Sequence, residues 1–334
     1  MDRRILGPSL FPLGFGCVQL TTQPRLSEAV AILERAFSLG ITHFDVARAY
    51  GFGRAEGILA QFLRGRRDRV TVATKFGFQM PSGMAGNPRL IAAAKRLLGP
   101  FPTLLRRAQR HGSALVKAGA FSPEAAVQSL EASLRALQTD YIDVLLLHEA
   151  TLADAASEAL LDALQKQITR GTVRHLGIAS AFPKLNADAS HLATPFETVQ
   201  FDDNAQSRNL AKLAHREQRL LITHSIFKPA ALLRDAVKAF PQAARESSQP
   251  IGADLADPNV VAALLLHYAL RSNAAGIVLF SSTNPAHLEA NVREAQSQRF
   301  DDLQLGHFLA FVDKVLGATH NSAPPRSATT EART

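Results

Sequence analysis

The chain is poor in the residues that staple or anchor a fold. Among its 334 residues there is one cysteine, Cys17, and no tryptophan. A single cysteine excludes a disulfide framework and any zinc site built on cysteines. No run of 18 apolar residues occurs, so no transmembrane segment is expected. The opening stretch MDRRILGPSLFPLGFG is basic at its start, but Pro8 and Pro12 break it and it has no small-x-small cleavage site. A secretory leader is therefore not expected, and a cytoplasmic location is. Acid is missing from one long segment. Pro81 to Phe121 holds seven Lys and Arg and no Asp or Glu, so it carries +7 of the net +8. The remainder stands at 8 − 7 = +1. A nearly neutral body with one local basic segment argues against a nucleic-acid partner. The only large aromatics in that segment are Phe101 and Phe121, which leaves little for base stacking.

What is present is an ordinary globular balance, 46% apolar and 20% charged. The length suits one large α/β barrel or two medium domains. Apolar runs near 13–18, 41–45, 70–76, 142–148, 175–180, 197–201, 220–224 and 276–280 read as strands. Helical patterns follow each of them, over 26–39, 54–64, 122–137, 154–170, 184–192, 209–218, 257–272 and 285–297. Ser122-Pro123-Glu124, Asp257-Pro258 and Asn284-Pro285 are helix starts, and Gly40 and Gly171 sit where helices end in a left-handed residue. Eight βα units at this length favour a closed (β/α)8 TIM barrel over a doubly wound sheet. The barrel is expected over residues 1–317 as a single unit, with long loops at 77–121 and 225–256, a final helix over 302–316 and a disordered tail over 318–334.

Four polar residues stand out against this pattern. Lys75 ends VTVATK, His148 ends YIDVLLLH, Asp45 ends ITHFD, and Tyr50 follows five residues later. Parallel α/β folds place their sites at the C-terminal ends of strands. A single Asp or Lys there is by default a surface or salt-bridge residue, and a lone His in an apolar run is by default a core residue. Four together at three strand ends do not fit either default. A phenol has an ordinary pKa near ~10, and an ammonium beside it favours the phenolate. Lys75 is expected to lower Tyr50 in this way, with Asp45 holding Lys75 and His148 orienting a carbonyl. The set brings no electrophile or nucleophile of its own, so hydride borrowed from a nicotinamide is the natural complement.

The segments FDVARAYGFGRAEGIL, VATKFG and DYIDVLLLHEA resemble the aldo-keto reductase family, which carries its aspartate, tyrosine, lysine and histidine in such segments. The resemblance runs from about Leu13 to Leu316, apart from the two long loops. It implies a (β/α)8 barrel and reversible carbonyl-to-alcohol reduction, with Tyr50 as general acid and a nicotinamide, usually NADPH, across the barrel mouth. It also implies cofactor positions. Gly16 runs beside the nicotinamide end, and Ser180 and Gln200 meet the carboxamide. Asn204 matches the asparagine of the following motif, Ser225 meets the pyrophosphate, and Asn291 reads the adenine. Three departures stand beside these matches. Ala181 replaces the usual asparagine, and His224 stands where an aromatic ring stacks. Ser281, Ser282, Thr283 and His287 stand where Lys or Arg often faces the 2′-phosphate. The expected cofactor is therefore NADP(H) with reduced preference, or NADP(H) and NAD(H) alike.

Other features read plainly. Gly51, Gly53 and Gly57 lack dinucleotide-loop spacing and form a turn. Cys17 is a small buried residue by default, and a redox-sensitive thiol is the sharper reading. His43, His175 and His267 have no metal-ligand spacing, and no metal is expected. The basic segment reads as a solvated lid, a lid that attracts an anionic substrate or cofactor phosphate, or a membrane- or partner-binding helix. The expected partner is a small carbonyl or alcohol (aldehyde, ketone or sugar), with the oligomeric state unread. The competing reading is a nicotinamide-binding regulatory subunit with little turnover.

Overall fold

The computed structural model describes residues 3–7, 10–79, 117–118, 121–185 and 195–321. Its strands are β1 (Leu13–Gly16), β2 (His43–Asp45), β3 (Thr71–Phe76), β4 (Phe78–Gln79), β5 (Lys117–Ala118), β6 (Ile142–His148), β7 (Val173–Ala179), β8 (Phe196–Asp202), β9 (Leu220–His224) and β10 (Ile277–Phe280). Eight of them pair in parallel in the closed order β1-β10-β9-β8-β7-β6-β3-β2. β4 and β5 form a separate antiparallel ribbon. The eight apolar runs read from the sequence are the eight barrel strands, so the expected (β/α)8 TIM barrel is the fold.

Strand side chains alternate between the two faces. Phe44, Val72, Leu145, Ile178, Val199 and Val278 belong to the large cluster shared with the surrounding helices. Their neighbours Ala73, Val144, Leu146 and Ala179, and Leu220, Ile222, Ile277 and Leu279, form two smaller clusters that fill the barrel interior. The β7–β8 register shifts between Leu176 and Gly177. A Cβ at Gly177 would run into the carbonyl oxygen of Thr198. Only glycine lets the two strands approach there.

The floor of the barrel is closed by the short 3-10 turn Arg3–Leu6. The Arg3 backbone N–H donates to the Ala275 carbonyl at 2.8 Å, and its guanidinium donates to the Ala274 carbonyl at 2.6 Å and the Leu10 carbonyl at 3.0 Å. Ile5 and Leu6 pack upward against the interior clusters.

Helices α1 (Leu26–Ser38), α2 (Arg54–Leu63), α3 (Pro123–Leu137), α4 (Leu152–Ala155), α5 (Glu158–Thr169), α6 (Asn209–Lys212), α7 (Ala230–Ala239), α8 (Pro241–Ile251), α9 (Pro258–Ser272), α10 (Pro285–Gln296) and α11 (Asp302–Asn321) surround the strands. Ser122, Asp257 and Asn284 cap α3, α9 and α10 with their side chains, as their sequence positions imply. Gly40 and Gly171 adopt φ of 95° and 74°.

Four expectations are corrected. The pattern over 154–170 is two helices, because Thr151 and Asp154 form a capping box around α4 and Ser157 starts α5 afresh. The pattern over 209–218 collapses to one turn of α6 and a 3-10 turn, Arg216–Gln218, between left-handed residues at Arg208 and His215. The loop expected over 225–256 is largely helical. Leu233, Ala236, Ala244 and Ile251 of α7 and α8 bury against α11 and α9 in a cluster of their own. The tail expected from 318 is helical at its start, because α11 runs on through Asn321. Residues 184–185 end a 3-10 turn, Phe182–Leu185, while 186–192 of the helix expected over 184–192, most of the basic segment and residues 322–334 lie outside the described residues.

Candidate active site

A pocket of about 380 Å³ opens at the C-terminal ends of the strands. Asp45, Tyr50, Lys75 and His148 all line it. Lys75 is buried, and its ammonium donates to Asp45 Oδ1 at 2.5 Å and to the Val46 carbonyl at 3.1 Å. The other carboxylate oxygen, Asp45 Oδ2, accepts from the Gln200 amide at 2.9 Å across the barrel. Lys75 Nζ lies 5.2 Å from the centre of the Tyr50 ring. His148 stands edge-on to Tyr50, with ring centres 6.2 Å apart and an 84° tilt. Phe78 packs against the other side of the imidazole at 4.5 Å and 86°.

Local structure aims Tyr50 inward. After β2 the chain turns through Tyr50 N–H to the Ala47 carbonyl at 2.9 Å. Gly51, Phe52 and Gly53 then take φ of 59°, 57° and 84°, a left-handed run that lets α2 start at Arg54. Arg54 donates to the Thr21 and Gln23 carbonyls at 3.0 and 2.7 Å. On the near side, Arg48 pairs with the fully buried Glu56 at 3.2 Å, and Glu56 accepts from Thr74 at 2.9 Å. One carboxylate thus links the segment carrying Tyr50 to the strand carrying Lys75.

The electrostatics differ from the sequence expectation at one point. Burial pushes the Tyr50 phenol above its ordinary value, and Lys75 offsets this only in part. The expected lowering of Tyr50 is therefore corrected: desolvation outweighs Lys75. Burial also opposes the charge on Lys75, but Asp45 and then Tyr50 outweigh it and hold Lys75 up. His148 lies well below the usual imidazole range, through burial first and then the charge of Lys75. His224 is lowered by burial as well, against Asp45 and Asp202. Both rings are neutral at pH 7.

Of the residues matched to cofactor contacts, Gly16, Ser180, Gln200, His224, Ser225 and Ser281 line the pocket. Ser281 Oγ is buried without a hydrogen-bond partner. A buried hydroxyl without a partner at a pocket wall fits a polar ligand that completes it. Ser180 donates to the Ala150 carbonyl at 2.7 Å. Ser225 adopts φ 67° and meets His224 Nδ1 at 2.9 Å. Thr283 and Asn291 are half-buried, His287 is exposed, and none of the three lines the pocket. Asn204 accepts from the backbone N–H groups of Gln206 and Ser207, both at 3.1 Å, which makes it a turn former.

Sequence reasoning missed several lining residues: Val18, Gln19, Glu149, Phe227 and Lys228. Glu149 is bound by Lys184 at 2.8 Å. A lysine four residues past the end of a barrel strand was the available signal for Lys228. Among the described residues, no His, Cys, Asp and Glu cluster could hold a metal, and no helix is long and apolar enough to cross a membrane.

Comparisons with known proteins agree with this geometry. The chain is 29% identical over 188 residues to the uncharacterized oxidoreductase YqkF of Bacillus subtilis, covering 55% of this chain and 51% of that protein. It is 26% identical over 297 residues to pyridoxal 4-dehydrogenase of Microbacterium luteolum, covering 80% and 83%. The chain spans about half the length of several of the curated relatives it matches. Among solved structures, an aldo-keto reductase from Klebsiella pneumoniae in complex with NADPH superposes with a TM-score of 0.60 at 20% identity, covering 97% of this chain and 95% of that one. The sequence model of the aldo/keto reductase family matches residues 12–308. The barrel, the pocket at its mouth and this match over nearly the whole chain agree: the chain belongs to the aldo/keto reductase family of oxidoreductases.

Proposed function

We propose that the protein interconverts a carbonyl and an alcohol, using NADP(H) or NAD(H), with Tyr50 as the proton donor and acceptor. The observation that carries this reading is the single buried network Gln200–Asp45–Lys75 set against the Tyr50 ring, with His148 edge-on to Tyr50. The nicotinamide, when bound, supplies the hydride. A carbonyl oxygen held between the Tyr50 hydroxyl and His148 gains electron density as its carbon is reduced. Tyr50 donates its proton to that oxygen, and Lys75 stabilises the phenolate left behind. His148, neutral by burial, donates a hydrogen bond to the same oxygen without adding a charge that would compete with Lys75. Asp45 keeps Lys75 charged and in place.

Ser180, Gln200 and His224 supply a polar wall and a ring edge for a nicotinamide, and the unpartnered Ser281 hydroxyl supplies a further contact. Ser281, Thr283 and His287 offer hydroxyls and an imidazole in place of a guanidinium for a 2′-phosphate, with Asn291 further along α10. NADPH and NADH are therefore expected to bind within about tenfold of one another.

Mixing the NADPH-loaded protein with an aromatic aldehyde should bleach the reduced-nicotinamide absorbance in a single turnover. Tyr50→Phe should bind NADPH normally and bleach at least a thousandfold more slowly, on the order of the loss expected when a general acid is removed. Absence of bleaching in the unmodified protein over minutes favours a nicotinamide-binding subunit instead.

A further inference from the structure

His148 is followed by a residue in a conformation its side chain does not favour. Glu149 adopts φ 59°, in the left-handed region that strains a residue carrying a Cβ. It is the first residue past β6, and it lines the pocket beside His148. Strain of this kind persists only where the surroundings hold it. Here the holding groups come from β7 and the turn after it. The Glu149 N–H donates to the Ala179 carbonyl at 2.7 Å. The Lys184 ammonium donates to the Glu149 carbonyl at 2.9 Å and to its Oε2 at 2.8 Å. The Ser180 hydroxyl donates to the Ala150 carbonyl at 2.7 Å.

Of these groups, Lys184 grips both the backbone and the side chain of Glu149. Its turn, Phe182–Leu185, is closed by the Lys184 N–H to the Ala181 carbonyl at 2.9 Å. The Phe182 N–H ties that turn to β8 through Asp202 Oδ1 at 3.2 Å. Phe182 and Leu185 are buried, so the lysine has a fixed base. The ion pair itself is partly exposed, 40% at Lys184 and 34% at Glu149, and such a pair holds little alone. The carbonyl bond adds a direct hold on the peptide that follows Glu149. Released from Lys184, Glu149 relaxes toward negative φ. Ala150 on its far side stays tied to Ser180, so the displacement falls on His148. That imidazole stands edge-on to Tyr50, with ring centres 6.2 Å apart, and has Phe78 on its other side. Small displacements of an orienting group cost rate steeply. Lys184 also adds its charge to the influences that keep the imidazole neutral, after burial, Lys75 and His224.

We propose that Lys184 is a positioning residue for His148: its ammonium holds Glu149 in the left-handed turn that fixes the imidazole against Tyr50. This rests on the reading of His148 as the group that orients the carbonyl, and it adds the residue that keeps His148 in place.

A double-mutant cycle in the full chain tests the assignment, because glycine adopts a positive φ without strain. Lys184→Met should lower kcat for an aromatic aldehyde about tenfold, with the NADPH Kd from calorimetry within about twofold of the unmodified value. Lys184→Arg, which can still donate to both acceptors, should recover most of the loss. Added to Glu149→Gly, Lys184→Met should change kcat by less than about twofold. The His148 ring signals in NMR spectra should shift more in Lys184→Met than when the same change is made in the Glu149→Gly background. An equal loss of kcat in both backgrounds overturns the assignment, because Lys184 then acts through its charge. A kcat untouched by Lys184→Met overturns it too, as does a loss confined to KM, which would make the pair a substrate contact. If His148→Asn keeps full kcat, the reading of His148 itself fails, and the ring signals still report whether Lys184 places it. Lys184 is partly exposed, so the variants are expected to fold, and matched thermal melts check this.

Discussion

Asp45 engages both of its carboxylate oxygens inside the barrel, one with Lys75 and one with Gln200. Lys75→Met should therefore do more than slow catalysis. It leaves a buried carboxylate without its cation and should lower stability by about 3 kcal/mol, read by urea unfolding. Asp45→Asn with Lys75→Met together should recover much of that loss without recovering turnover. The raised phenol of Tyr50 sets a pH dependence with a definite sign. Tyr50 is protonated through neutral pH, which suits donation to a carbonyl. Reduction should be flat from pH 6 to 8, whereas alcohol oxidation, which needs the phenolate, should rise with pH across the same range. Parallel profiles for the two directions would contradict this assignment of Tyr50. At this scale the sequence was informative where a polar residue interrupted an apolar run, as at Lys75 and His148. It was silent on Gln200 binding Asp45, because a contact across 155 residues depends on barrel closure. It also misjudged Tyr50, because proximity to Lys75 is visible in a sequence and desolvation is not.

The elements that carry these residues are coupled by Glu56. It sits on α2, fully buried, and joins Arg48 of the Tyr50 segment to Thr74 of β3. Glu56→Gln should weaken the Arg48 contact and loosen Tyr50 relative to Lys75. The expected outcome is a several-fold drop in kcat and a lower Tm, with cofactor affinity unchanged by calorimetry. At Gly177 an added methyl meets the Thr198 backbone, which cannot swing away as a side chain can. Gly177→Ala should cost about 1–3 kcal/mol in chemical denaturation. Strands were legible because each is a short apolar run bounded by turn residues. Helices were less so. α8 (PQAARESSQPI) buries only Ala244 and Ile251, too few apolar positions to mark a period, so its helical character depends on α11 lying beside it. Over 209–218 the reverse held: the pattern was helical, but left-handed Arg208 and His215 break it.

For the molecule as a whole, buried neutral histidines tie stability to pH. Burial holds His43 down to about 4, against the pull of Asp45 and Asp143. In the unfolded chain a histidine takes up its proton near ~6.5. Between those values the unfolded state binds more protons, so stability is full above about pH 6.5 and falls as pH drops toward 4. His43 alone contributes on the order of 3 kcal/mol of that fall, and His148 and His224 act in the same direction. His43→Gln should flatten the dependence of the urea midpoint on pH over this window. Cys17, fully buried just past β1 with its thiol against the Phe15 carbonyl, carries a last consequence. Burial, with Asp45 adding, pushes its thiol far above the ordinary range. It is therefore inert while the barrel is closed, and it is the chain's only thiol. A maleimide dye can react only with molecules whose first strand has come away from the wall around Asp45. The protein thus holds an internal clock, and the rate at which it takes up label should report how often the mouth breathes open and how much a bound nucleotide quiets it.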